Sequence, residues 1–326
     1  MAVSYENGDD RSGQGLALYA GAMLFIPVLD AMGKVLVQTI SPFEIHFVRN
    51  LVQTVILLVA LPLMGRVIFT PQVRAHWLKI AGVGFFLANT GCFLFWSLQS
   101  LPLANAIAIF FVEPLILTMF CVVFLGERVG IHRTSAVLVG LLGAIVVIRP
   151  NFAAFGIAAI MPLVAATAFA AGMTVLRRVS GRVDAVRIQA VAGIFGSTYL
   201  GLVLLVGGVL GVEIMEFTMP SPDLWHLLLA LGLGATAAQL AITVALRFTE
   251  ASAVAPFQYL EIVAATAIGY LWFGDFPDAL TWVGTGLILA SGLYVAHRER
   301  RLAADRRRAG RDARSVALSA PQEPLP

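Results

Sequence analysis

The sequence predicts an all-α integral membrane protein of ten transmembrane helices, arranged as two inverted five-helix repeats with both termini in the cytoplasm. Three observations carry this. With 59% hydrophobic and 13% charged residues and a mean hydropathy of +0.87, the chain is too apolar for a soluble protein of its size. Apolar runs of about 20 residues, long enough to cross roughly 30 Å of hydrocarbon, recur along it with short polar breaks. Shifted against itself by 148 residues, the chain superimposes Trp77 on Trp225, Gly84 on Gly232, Glu113 on Glu261, Thr118 on Thr266 and Gly126 on Gly274, the mark of a duplication.

The expected spans are 16 to 37, 43 to 64, 78 to 100, 103 to 125, 132 to 149, 155 to 176, 187 to 210, 224 to 246, 251 to 273 and 279 to 297. They fall into a leader (1–14), a first repeat (15–150), a second repeat (151–297) and a basic tail (298–326) that ends in Pro321, Pro324 and Pro326 and reads as disordered. The first run carries Asp30 and Lys34, follows an acidic leader and lacks a small-residue cleavage site, so it reads as a retained helix. In the second, Glu44 and His46 are expected near the outer end, with Arg49 deeper. The fourth and ninth each hold a carboxylate, Glu113 and Glu261, within about one residue of the midpoint. Alanines at 165, 166, 168, 170 and 171 in the sixth run, with Gly207 in the seventh and Gly284 and Gly292 in the tenth, read as surfaces for close helix packing. Cys92 and Cys121 lie inside apolar runs and suggest small buried thiols, not a disulfide or a metal site.

Orientation follows from the arginines. With the N-terminus inside, the inner loops hold Arg66, Arg74, Arg128, Arg133, Arg177, Arg178, Arg182, Arg187 and Arg247, and the tail adds Arg298 to Arg314. The outer loops hold Arg149 with Glu213, Glu216, Asp223, Asp275 and Asp278. An odd number of helices per half inverts the second half against the first, a plan recurrent among secondary carriers whose site lies at the midplane. The net charge of +3 therefore describes topology, and no nucleic-acid partner is expected.

Five ionisable residues lie well inside the spans, where each costs a few kcal/mol to insert. Asp30 and Lys34 are four apart on one helix face and at a similar depth to Arg49, so one acid can be held by two bases. Two readings stand: a network locking the first helix to the second, or a substrate contact. Glu113 and Glu261 are the deepest charges. Either they face a cavity and exchange protons as it changes exposure, or they stay neutral and hydrogen-bonded to backbone, Asn105, Gln239 or Gln258. Trp77, Trp225, Trp272 and Trp282 flank spans and suit the interfacial belt. Trp96, Phe110, Phe111 and Tyr259 lie deeper, as cavity-lining surfaces or as packing. The chain contains no GxxxxGK[ST], HExxH or GxSxG, so neither ATP coupling nor an intramembrane hydrolase is expected, and no cofactor is called for. A membrane sensor would carry a folded output domain, unlike the short tail.

Phe-Leu-Gly-Glu-Arg from Phe124 to Arg128, Trp-Phe-Gly-Asp from Trp272 to Asp275, and Ala-Ser-Ala-Val-Ala-Pro-Phe-Gln-Tyr-Leu-Glu from Ala251 to Glu261 resemble the EamA-type drug/metabolite transporter superfamily over residues 15 to 297. The resemblance implies a ten-helix secondary transporter of the bacterial inner membrane, working on a small molecule by alternating access. Asp30-Ala-Met-Gly-Lys34 followed by Glu44-Ile-His-Phe-Val-Arg49 is similar to the uptake branch for riboflavin and S-adenosylmethionine. Planar heterocycles with polar chains would suit deep aromatics flanked by charge, which makes Asp30, Lys34, Arg49, Glu113, Glu261, Gln258, Tyr259, Trp96 and Phe110 the candidate substrate or coupling residues. Ala170 and Thr174 stand where the repeat places Asp30 and Lys34, so charge recognition is expected from one half only. The oligomeric state is not legible.

Overall fold

The computed structural model describes residues 3–126, 131–249, 254–295, 297 and 301. Apart from Arg301, the basic tail expected at 298–326 lies outside the described residues, as do Glu127 and Arg128 of the fourth-helix motif and Ala251, Ser252 and Ala253 of the ninth. Among the described residues the named α-helices are, in order, α1 (Val3–Leu36), α2 (Pro42–Leu63), α3 (Pro71–Ala75), α4 (Trp77–Leu98), α5 (Leu103–Phe110), α6 (Glu113–Leu125), α7 (Ile131–Phe155), α8 (Met161–Val179), α9 (Ala185–Leu210), α10 (Pro222–Phe248), α11 (Leu260–Phe273) and α12 (Ala279–Val295). Seven helical stretches are long and apolar enough to cross a membrane, and Ser135–Arg149 and Ala279–Val295 are shorter apolar helices. Helix α1 reaches back to Val3, so the leader continues the first helix.

Local chemistry marks the ends. Ser41 accepts from the Phe43 N–H ahead of α2, Thr70 from Val73 ahead of α3, and Asp184 from Val186 and Arg187 ahead of α9, each supplying an acceptor for an orphan amide of a first turn. Helices α6 and α11 both stop on a glycine in the left-handed region, Gly126 at φ 69° and Gly274 at φ 71°, positions the internal repeat equates. A side chain there would clash with its own backbone, which is why both repeats keep glycine. Helix α7 runs on through Arg149 and Pro150 to Phe155, past the break expected between the fifth and sixth spans, and stops where Gly156 turns the chain at φ 61°.

The fourth and ninth runs are not the continuous helices the hydropathy suggests. The fourth is broken at Phe111 and Val112 into α5 and α6, because Pro114 has no N–H and its ring opposes the carbonyl of Phe110 one turn back. In the ninth, a 3-10 turn over Ala255–Tyr259, whose second residue is Pro256, precedes α11.

Packing repeats what the sequence repeats. Helix α1 lies on α10 as α4 lies on α8; α2 crosses α9; α4 meets α9 as α10 meets α2; α6 packs on α8 as α11 packs on α1. Exchanging the halves, α1 for α8, α2 for α9, α4 for α10 and α6 for α11, maps this set of contacts onto itself. Every one of these contacts joins one half to the other. The crossing of α4 on α9 requires Gly84, where a methyl would lie 2.2 Å from the Ala192 carbonyl oxygen; at its counterpart Gly232, on α10, a methyl would lie 2.8 Å from Val52 Cβ. Gly84→Val is therefore expected to force the crossing apart, costing about 1–3 kcal/mol, and to lower the melting temperature of the purified protein measurably, whereas Gly208→Ala, with open space around it, is not. Large apolar side chains such as Leu205, Val209 and Leu271 are left exposed on the outside, as a lipid-facing surface requires.

Candidate functional site

The two helix breaks build the centre of the molecule. They set Glu113 in the first turn of α6 and Glu261 in the first turn of α11, where the positive ends of the helix dipoles favour a carboxylate. Both are buried, 5% and 9% exposed. Oε1 of Glu113 accepts from Nε2 of Gln258 at 3.2 Å, and Gln258 belongs to the 3-10 turn of the other half, so this bond ties the two breaks together across the repeat. Oε2 of Glu113 is buried without a partner. Glu261 lies close enough to Asp30 and Glu113 to feel both charges, and Tyr19 of α1 faces Glu261 and Glu113. Of the amides expected near the carboxylates, only Gln258 meets one. Asn105 donates to Oδ1 of Asn151 at 2.9 Å, and Gln239 is exposed on α10.

Around Asp30 the arrangement differs from the expected trio. Asp30 is buried and feels the charge of Arg49, but it makes no ion pair among the described residues. Lys34 does not pair with it. The Lys34 ammonium reaches Oδ2 of Asp275 at 2.5 Å and sits 4.6 Å from the centre of the Phe273 ring. Lys34 occupies the last turn of α1, so its long stem carries the charge outward past the helix end, while the left-handed cap at Gly274 turns Asp275 back to meet it.

Arg49 is half-buried. Its Nη1 lies 3.5 Å from Nδ1 of His46, and its Nε is buried without a partner. Glu44 and His46, expected near the interface, are both buried, at 0% and 6% exposure. For Glu44 the cause is the segment between α9 and α10, which folds over the start of α2: Thr218 N–H donates to Oε2 of Glu44 at 2.9 Å, and Ser41 Oγ donates to the Ile214 carbonyl at 2.5 Å; His46 is buried against α4, its ring 6.1 Å from that of Phe95. Arginine only donates, so Nδ1 of His46 is the acceptor in its contact with Arg49, and this partner assigns the tautomer. His46 thus orients Arg49, with Gly91 so close beneath that a methyl there would lie 2.0 Å from the ring. Arg49→Ala is expected to abolish transport, and His46→Leu, which removes the acceptor, to raise the apparent KM about fivefold, in line with one hydrogen bond of about 1 kcal/mol.

The aromatic candidates divide. Tyr259 lies against Phe111 at 5.8 Å between ring centres, with its hydroxyl against Gly292 of α12, and Phe110 meets Phe169 of α8 edge-on at 5.8 Å; both pack the walls beside the carboxylates. Trp96 stacks on Phe93 of its own helix at 6.2 Å. Among the described residues no three His, Cys, Asp or Glu side chains converge as a metal site. What the structure gathers at the centre is Asp30, Arg49, Glu113, Gln258 and Glu261, with Lys34 and Trp96 standing apart from that group.

Two half-helices that begin beside buried carboxylates, at the meeting of two repeats, define a membrane carrier. The chain belongs to the EamA-like transporter family, whose pattern matches twice, over residues 13–149 and 156–296. It is 29% identical over 206 residues to a riboflavin transporter of Rhizobium johnstonii, a match spanning 63% of this chain and 65% of that relative, so the chain covers just under two thirds of that relative's length. It is 27% identical to the pseudopaline exporter of Pseudomonas aeruginosa, over 86% of this chain and 95% of the relative. It is also 25% identical to an S-adenosylmethionine uptake transporter of Rickettsia bellii, over 83% of this chain and 89% of the relative.

Proposed function

We propose that the protein is a secondary transporter with ten spans in two inverted halves and both termini in the cytoplasm. In this reading it carries a small polar or heterocyclic metabolite into the cell across the bacterial inner membrane by alternating access. The observation that carries it is the Glu113–Gln258 bond between the two helix breaks, which places a polar, partly unsatisfied centre where the halves meet. Arg66, Arg74, Arg177, Arg178, Arg182, Arg187 and Arg247 mark the inner side; reporter tags on the two termini test that orientation, and opposite sides would sink it. Riboflavin is the first substrate proposed, on the strength of the relatives and of the rings flanking the centre. Growth of a riboflavin auxotroph lacking its own importer on low external vitamin tests it, and failure to rescue removes the vitamin.

One observation favours a second substrate. Three buried acids, Asp30, Glu113 and Glu261, stand against two arginine charges, Arg49 on Asp30 and Arg177 on Glu113, and a cation such as the sulfonium of S-adenosylmethionine offsets the remaining acid where a neutral flavin does not. Competition between the two compounds for uptake into proteoliposomes decides between them. Glu113 and Glu261 are proposed to carry the coupling proton. No catalytic step is proposed for any residue.

A further inference from the structure

Helices α4 and α6 both pack on α8, and between them a groove of about 740 Å³ runs along α8, away from the carboxylate centre. Phe86, Phe93, Phe120, Phe124 and Ala168 form its walls and floor, and Arg178 stands at one end. From Leu163 to Arg178 it follows α8 for fifteen residues, about 22 Å at 1.5 Å per residue, which exceeds the roughly 15 Å of one hydrocarbon leaflet. Its rims are open: Phe85 is 43% and Phe124 56% exposed, and Met119 and Val123 continue the apolar surface along α6. A ligand entering here arrives from the hydrocarbon, since the mouth opens sideways onto the lipid-facing belt. Among the described residues that line the groove, charge sits only at the Arg178 end. Of the five N–H groups of the Arg178 guanidinium, the bond to the Phe124 carbonyl uses one, and the side chain is otherwise exposed.

We infer that the groove binds one anionic phospholipid, an acyl chain lying along the phenylalanines and the phosphate on Arg178. Apolar length, sideways opening and a terminal cation match an amphiphile with one charged end, and Arg182, three residues beyond α8, adds to the positive field at the headgroup level. Its lining includes none of Asp30, Arg49, Glu113, Gln258 and Glu261, so the inference stands whichever metabolite is carried.

The test is native mass spectrometry of the full-length protein released from phosphatidylcholine nanodiscs doped with phosphatidylglycerol. One phosphatidylglycerol is expected to stay bound. Arg178→Gln is expected to weaken its retention about fivefold relative to phosphatidylcholine, Arg178→Lys to preserve it, and Ala168→Phe, which fills the floor, to eject lipid of either kind. Equal retention of the two lipids, unchanged by Arg178→Gln, overturns the proposal. Displacement of the lipid by riboflavin or S-adenosylmethionine also overturns it, by assigning the groove to the transported ligand.

Discussion

Asp275→Lys is expected to reduce uptake at least tenfold, and adding Lys34→Asp to restore most of it. The first change sets two ammonium groups within a few ångströms in a partly buried corner, beside a ring that already favours one cation; the second rebuilds the pair in reverse. The pair lies between the fully exposed case, worth up to about 1 kcal/mol, and the buried one, where losing a partner costs about 3–5 kcal/mol. A coupling of about 1–3 kcal/mol from a double-mutant cycle is the expected size. Its consequence for transport comes from where it sits. Lys34 joins α1 to the end of α11, and the repeat maps that contact onto α8 against α6, where Arg177 donates to the Cys121 sulfur at 3.1 Å and Arg178 to the Phe124 carbonyl. Each half thus holds the other's broken helix by a cation at the end of its own first helix, and in the proposed inverted arrangement the two fastenings lie at opposite ends of the bundle. A carrier that opens alternately must release one fastening at a time, so Asp275→Asn, which weakens one of them, is expected to change the maximal rate more than the apparent KM. Independent, additive effects of the two reversals would show that the pair takes no part in the cycle.

That the acid partner of Lys34 lies 241 residues away explains why local spacing misassigned it. Helical periodicity reports which residues share a face, and by that measure Asp30 was the neighbour; the cap at Gly274 that returns Asp275 is a tertiary event. The same limit applies to Glu44, buried by the segment around Ile214 and Thr218 folding back over α2, and to His46, buried against Phe95 and Gly91 of α4. By contrast, the repeat is written in the chain itself, and the equivalences of Gly84 with Gly232 and of Gly126 with Gly274 reappear as equivalent crossings and caps. Depth counting brought out Glu113 and Glu261 but missed that each opens a half-helix, because hydropathy is blind to the backbone. Pro114 and Pro256 carried that signal. His46 had no sequence signal as the residue that orients Arg49 beyond its place one turn before it.

Glu113→Gln and Glu261→Gln are expected to separate driven uptake from exchange. Glutamine keeps the shape of glutamate, and at position 113 its carbonyl can still accept from Gln258, so the link between the two breaks survives while the titrating proton is lost. If that proton moves with the substrate, each variant loses at least tenfold in uptake driven by an imposed pH gradient across proteoliposomes, yet exchanges labelled for unlabelled substrate at close to the parental rate. Glu113→Ala removes the acceptor as well, leaving the half-buried Gln258 amide without its partner at a cost of about 1 kcal/mol, and is expected to impair exchange too. Driven uptake that persists unchanged in the Glu113→Gln/Glu261→Gln double variant would remove both residues from the proton path and leave the Glu113–Gln258 bond a joint between the halves.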